Sequence, residues 1–248
     1  KIPNVFRRFF AEGAFSQAFI PIYSEYLGHG NEKESQEFIN ALAGILISIL
    51  FFFTIFALIF APFFIFIFAP GFYFDNQKQE LAVNLLRIMF PYLALISLVA
   101  FAAGIQNSHQ RFSVPAATPL IFNFSLIGAA WLIAPTLDVP VMALAWGVLL
   151  AGFLQLLFQI APLALIKKIP IPNFNFANSG VKKFFVIIFP AILAGGISQI
   201  NLLIDTIFAS LLATGSPTWL YVSDRLIQFP LGIFAIAIGT VLLPTLSK

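Results

Sequence analysis

The sequence predicts an all-α polytopic membrane protein with about seven transmembrane helices, and three observations carry that reading. Of its 248 residues, 60% are hydrophobic and 9% are charged, whereas an ordinary soluble domain carries roughly 25% charged residues. Mean hydropathy is +0.97. The apolar residues also gather into runs of about 20 or more, the length a helix needs to cross the hydrocarbon core, with short polar connectors between them. Cysteine is absent and the two histidines, His29 and His109, lie far apart, which argues against disulfides, zinc and redox chemistry. The opening residues do not read as a cleavable signal, lacking a basic region followed by an apolar one and a small-residue cleavage site. The chain opens at Lys1 and stops at Lys248 directly after an apolar run, and it is read as a piece of a longer protein.

In order, the predicted spans are Phe9 to Leu27, Glu37 to Phe60, Glu80 to Gln106, Ser113 to Ala134, Val139 to Ile166, Lys183 to Leu212 and Thr218 to Leu246. The run from Phe38 to Phe74 carries no charge. As one helix it would measure about 55 Å at 1.5 Å per residue, well beyond a hydrocarbon core of roughly 30 Å. Pro62 and Pro70 are expected to divide it, leaving Pro62 to Phe74 in the outer interface, where aromatic side chains are favoured.

The connectors are Gly28 to Ser35, Asp75 to Gln79, Asn107 to Phe112, Pro135 to Pro140, Lys167 to Lys182 and Thr214 to Pro217, and alternate ones must face alternate sides. One set, with the terminal Lys248, holds Lys33, Arg111, Lys167, Lys168, Lys182 and Lys183. The other holds only Lys78, apart from Arg7 and Arg8 near the start. The positive-inside rule places the lysine-rich set in the cytoplasm and explains those lysines by orientation. The long Lys167 to Lys182 connector divides the chain into a unit 1–168, a cytoplasmic connector 169–182 and a second unit 183–248. A weak echo between residues 15–24 and 238–247, each with a proline followed three residues later by serine, fits an internal repeat.

Function is suggested by charges inside the spans: Arg7, Arg8, Glu12, Arg87, Asp205, Asp224 and Arg225. Each costs about 2.5–3.5 kcal/mol at mid-membrane on insertion scales, so such residues persist where they line a wet cavity, pair, or meet a polar substrate. Arg8, Glu12 and Ser16 recur every fourth residue on one helical face, with Arg7 beside them. Two adjacent guanidiniums suit a phosphate, which each can hold bidentately; snorkelling to the outer interface is the simpler alternative. The sixth span aligns Gly195, Ser198, Asn201 and Asp205, and its Pro190 and Gly195-Gly196 pair weaken the helix enough to predict a hinge. Asp205, with Asn201, is a candidate site for coupling Na⁺ or H⁺, or else a structural hydrogen-bonding residue. The seventh span aligns Tyr221, Arg225, Gln228 and Gly232. Arg225 is either an anion ligand or half of an interhelical ion pair, and Asp224 lies about 100° around the helix from it. Arg87 is read as an interface snorkel.

Several classes are disfavoured. A drug exporter should face acids rather than arginines into its cavity. A membrane enzyme acting on polyprenyl phosphates would cluster acidic ligands or histidines at one face. There is no phosphate-binding glycine loop and no Ser/His/Asp set in a plausible context. Asn123-Phe124-Ser125 matches a glycosylation signal but lies within a span. No cofactor, metal or nucleic-acid partner is expected.

The stretch Ile2-Pro3-Asn4-Val5-Phe6-Arg7-Arg8-Phe9-Phe10-Ala11-Glu12-Gly13-Ala14-Phe15-Ser16-Gln17-Ala18-Phe19-Ile20-Pro21 resembles the MurJ (MviN) lipid II flippases. So do Gly104-Ile105-Gln106-Asn107-Ser108 with Arg111-Phe112 and Val114-Pro115-Ala116, and Asp224-Arg225-Leu226 through Pro230-Leu231-Gly232 to residues 239–248. The resemblance implies a fourteen-helix, two-lobed transporter of the multidrug/oligosaccharidyl-lipid/polysaccharide exporter superfamily. This chain would then supply the second to eighth helices, without the first or the last six, and would not transport by itself. It further implies that Arg7, Arg8 and Arg225 are cavity arginines gripping the pyrophosphate of lipid II, with Glu12 in the same motif. Transport would run by alternating access from the cytoplasmic to the outer leaflet of the bacterial inner membrane, without covalent chemistry, and membrane potential, Na⁺ or H⁺ could drive it. Membrane lipids and cell-wall synthesis proteins are the expected neighbours. A flippase for another polyprenyl-linked oligosaccharide, and a non-transporting scaffold, remain the alternatives.

Overall fold

The computed structural model describes residues 14–175 and 177–227, with side chains placed there except at 14, 195–199 and 202. The described residues form a helical assembly. Helix α1 covers Ala14–Gly28, α2 Glu32–Ile59, α3 Ala61–Phe68, α4 Asn76–Met89, α5 Pro91–Ser108, α6 Ser113–Gly128, α7 Val141–Leu165 and α8 Ser179–Leu211. A further helical segment, α9, runs over 216–227. Four stretches are long and apolar enough to cross a membrane among the described residues: Glu32–Ile59, Asn76–Ser108, Ser113–Thr136 and Val141–Leu165. The predicted spans thus map onto helices, while the start of the first span, the end of the last and the 238–247 half of the repeat lie outside the described residues.

Helix starts and breaks follow local chemistry. Asn31 caps α2 by accepting from Glu34 N at 3.3 Å, and Glu32 and Glu34 sit in the first turn, where the helix dipole favours acids. The charge-free run divides at Phe60 and Ala69, each followed by a proline at the start of the next element. Its last part, Pro70–Phe74, is a 3-10 turn. Within the third span, which runs as one stretch from Asn76 to Ser108, Pro91 lacks an N–H and interrupts the hydrogen-bond ladder after Met89, so the chain continues as α5. Two connectors are shorter than expected for the same kind of reason. Asp75 accepts from Lys78 N at 3.1 Å and starts α4 at Asn76. Asn178 accepts from Gly180 N at 2.9 Å and Val181 N at 3.2 Å and starts α8 at Ser179.

The core is built on one face of α1. Phe15, Ala18, Phe19, Ile22 and Tyr23 are buried at helical spacing, with Gln17, Pro21 and Ser24 exposed on the other side. They pack against Phe38 and Leu42 of α2, Phe101 and Ile105 of α5, and Phe184 and Ile188 of α8. Ring centroids lie 5.5 Å apart for Phe15–Phe19, 5.4 Å for Phe19–Phe101 and 5.3 Å for Phe15–Phe184, distances favourable for aromatic pairs. A second cluster joins the far end of α2 to α3, α4 and α5 through Ala57, Ile65, Leu86 and Leu93. The outward faces are apolar too: Phe52, Phe124, Phe153 and Leu157 are exposed, the pattern a lipid-facing surface requires.

Contacts between ends support the alternation of connectors. At the lysine-rich end, Tyr23 Oη lies 3.1 Å from His109 Nε2, Gln36 Nε2 donates to Ile169 O at 3.1 Å, and Lys183 pairs with Glu25. At the opposite end, Gly71 N donates to Ser210 Oγ at 3.2 Å and Lys78 Nζ to Thr214 Oγ1 at 3.1 Å. Helix α8 therefore spans the molecule, fastened to α1 at one end and to the Pro70–Phe74 turn at the other.

The connector after α7 does not simply hang in solvent. Ile171 N donates to Asn40 Oδ1 at 2.8 Å and Asn173 N to Asn40 O at 3.0 Å, which straps the chain along the first turns of α2. Gly44 permits the approach: a Cβ there would lie 2.8 Å from the Asn173 carbonyl carbon and 3.0 Å from its nitrogen.

Candidate functional site

The predicted site residues within the described region lie on α8 and α9. Helix α8 continues unbroken through Pro190, Gly195 and Gly196, so the proposed hinge position is helical backbone. Asn201 and Asp205 follow it, one turn apart on a shared face, and both are exposed. After α8 the chain turns at Gly215, whose φ of +104° falls where L-residues are strained, and Gly215 O accepts from Thr218 N and Trp219 N at 2.9 Å. That turn aims α9, which carries Tyr221, Asp224 and Arg225.

Arg225 is exposed and held by a neighbour one turn earlier. Its Nε donates to Tyr221 Oη at 3.2 Å, and its guanidinium carbon lies 5.2 Å from the Tyr221 ring centroid. The i,i+4 spacing sets both contacts, and a cation–π contact of this kind is worth about 0.5–1 kcal/mol at an exposed site. Among the described residues no carboxylate pairs with Arg225, and the half-buried Asp224 next to it in sequence does not neutralise it. Among the described residues its remaining guanidinium donors have no hydrogen-bond acceptor or carboxylate partner. Arg7, Arg8 and Glu12 lie outside the described residues. Arg87 stands apart from this region: its Nε donates to Leu58 O at 3.3 Å, satisfying a carbonyl at the end of α2.

A buried polar network was not singled out from the sequence. Gln106 and Gln159 are fully buried; Gln106 Nε2 donates to Gln159 Oε1, and Gln159 Nε2 donates to Thr118 Oγ1 at 2.7 Å. Gln155 Nε2 adds a bond to Thr118 O at 3.1 Å. These residues tie α5, α6 and α7 together through side-chain hydrogen bonds. The signal was there: Gln155 and Gln159 are one turn apart in an otherwise apolar span. Nearby, burial first and then the positive charge of Lys168 hold the His109 imidazole, which faces Tyr23, below its usual pKa.

A sequence profile of the family described as lipid II flippase MurJ matches residues 1–248. The chain belongs to the lipid II flippase MurJ family. Among similar MurJ proteins, the probable lipid II flippase MurJ of Haemophilus influenzae is 42% identical over 255 residues, covering all of this chain and 50% of the relative. The lipid II flippase MurJ of Burkholderia cenocepacia is 39% identical over 252 residues, covering all of this chain and 49% of the relative. The chain spans about half the length of these curated relatives. A solved structure titled lipid II flippase MurJ, inward closed conformation, superposes with a TM-score of 0.80 at 28% identity, over 98% of this chain and 49% of that one. The helices described above are thus part of the multi-span MurJ transporter fold, which makes this a multi-pass membrane protein.

Proposed function

We propose that the complete protein flips lipid II from the cytoplasmic to the outer leaflet of the bacterial inner membrane by alternating access. Unit 1–168 would form most of one lobe, 169–182 the link, and 183–248 the start of the other. The single observation that carries this reading is Arg225: it sits in a MurJ-family chain, oriented by Tyr221 and free of carboxylates among the described residues. Arg7 and Arg8 would join it in holding the pyrophosphate, because paired guanidiniums bind phosphate oxygens bidentately and stay charged at every physiological pH. Glu12, in the same matched motif, would line the substrate site beside them. Asp205 and Asn201, one turn apart on α8, would couple Na⁺ or H⁺, and bending at Gly195 and Gly196 would move α8 between states. Nothing in this scheme requires a covalent step, a metal or an organic cofactor.

The test is complementation in cells depleted of their own lipid II flippase, using the full-length protein with membrane abundance measured alongside. Arg225→Ala, Arg7→Ala and Arg8→Ala are each expected to abolish rescue at normal abundance, and Arg225→Lys to rescue only partly, since an ammonium keeps the charge without the planar fork. Full rescue by all the alanine variants would remove the anion site and the reading built on it.

A further inference from the structure

A second cationic site lies at the lysine-rich end, away from Arg225. A cavity of about 690 Å³ opens between the first turns of α2 and the end of α7, lined by Glu32, Lys33, Gln36, Lys167, Lys168 and Ile171, among others. Three lysines share it with one glutamate. Membrane orientation explains lysines at this end, but not how these are built. Lys168 is only 8% exposed, and among the described residues no carboxylate pairs with it. A lysine packed this closely gives up side-chain freedom before any anion arrives, which lowers the entropic cost of holding one.

The backbone makes the same point. Lys167 has φ 56°, and Lys167 N and Lys168 N donate back to Ala164 O and Leu163 O, each at 3.0 Å. This is the left-handed cap that ends helices, and glycine is its usual occupant. A lysine there is strained, and strain of this kind points to a role for the side chain. The cavity also has an apolar edge: Ile169 and Ile171 are 42% and 70% exposed. Gln36, held by bonds from Nε2 to Asn40 Oδ1 and Ile169 O, forms part of its wall.

We propose that this cavity binds the phosphate of an anionic phospholipid from the cytoplasmic leaflet, with Lys33, Lys167 and Lys168 on the headgroup and Ile169 and Ile171 against the start of its acyl chains. The lysines alone would suit any phosphate. The exposed isoleucines beside them favour a lipid over a soluble anion. This proposal does not rest on the transport reading and would stand if that reading failed.

The experiment uses the purified full-length protein in nanodiscs of phosphatidylcholine with a titrated fraction of phosphatidylglycerol, scored by retention of phosphatidylglycerol in native mass spectra and by melting temperature. Affinity for phosphatidylglycerol is expected to fall about fivefold for each lysine removed in Lys167→Gly and Lys168→Gln. In pure phosphatidylcholine, Lys167→Gly should melt no lower than the parent, because glycine suits the backbone better. Lys182→Gln, on the same face but outside the cavity, should leave retention unchanged. Equal losses at Lys182 would mean diffuse surface charge and overturn the site. Complete competition by millimolar inorganic phosphate would overturn the choice of a lipid. Unchanged retention in the Lys167→Gly/Lys168→Gln double variant would overturn the proposal outright.

Discussion

Gly71→Ala in the full-length protein is expected to destabilise the membrane domain by about 3 kcal/mol, the upper end of the range for overpacking. A Cβ at Gly71 would meet the carbonyl oxygen of Ser210 far inside van der Waals contact and sit 2.8 Å from Leu211 N. Both obstacles are backbone, so no side chain can rotate aside. The only relief is to push the end of α8 away from the Pro70–Phe74 turn, which also breaks the bond from Gly71 N to Ser210 Oγ. Ser210→Ala removes that bond without the clash and should cost only about 1 kcal/mol. Thermal unfolding in detergent would order the two variants. Equal melting temperatures for Gly71→Ala and wild type would mean that α8 and this turn do not meet.

Gln159→Leu is expected to cost about 1–3 kcal/mol, because it strands a buried polar partner rather than because it alters volume. Gln159 is fully buried and is the middle link between Gln106 and Thr118. Thr118 keeps its bond to Val114 O at 2.8 Å, but the Gln106 amide, whose Oε1 already lacks a partner, is left with nothing. The sign of the double variant separates this account from simple packing loss. Gln106→Leu/Gln159→Leu should be more stable than Gln159→Leu alone, since replacing both partners by apolar groups removes the stranded amide. Hydrogen bonds between membrane helices average about 0.6 kcal/mol and reach about 1.7, so the stranded amide, not the lost bond, should dominate. A double variant less stable than the single one would refute the assignment.

The candidate site was legible to an unequal degree. Arg225 stands out in the sequence because a charge within an apolar span demands a reason, and its motif matches a family. Its support by Tyr221 was implied by their four-residue spacing. The strap along α2 was not legible, since a run such as Ile169 to Asn173 carries no periodicity that says which helix it will lie against. The left-handed Lys167 was not legible either, because sequence rules place glycine at that kind of cap.

By itself, the sequence determined the membrane class, the approximate spans, the breaks at Pro62 and Pro70, and the segregation of lysines to one end. These are local properties: transfer of an apolar run into lipid and the missing N–H of proline act on each segment independently of its neighbours. Only the tertiary structure decided the Gln106–Gln159–Thr118 link, the clasp of α8 on Gly71, the strap past Gly44 and the burial of Lys168. Between helices that are all equally content in lipid, hydropathy chooses no partner. Close backbone approach and interhelical hydrogen bonds do, and both require knowing which faces meet.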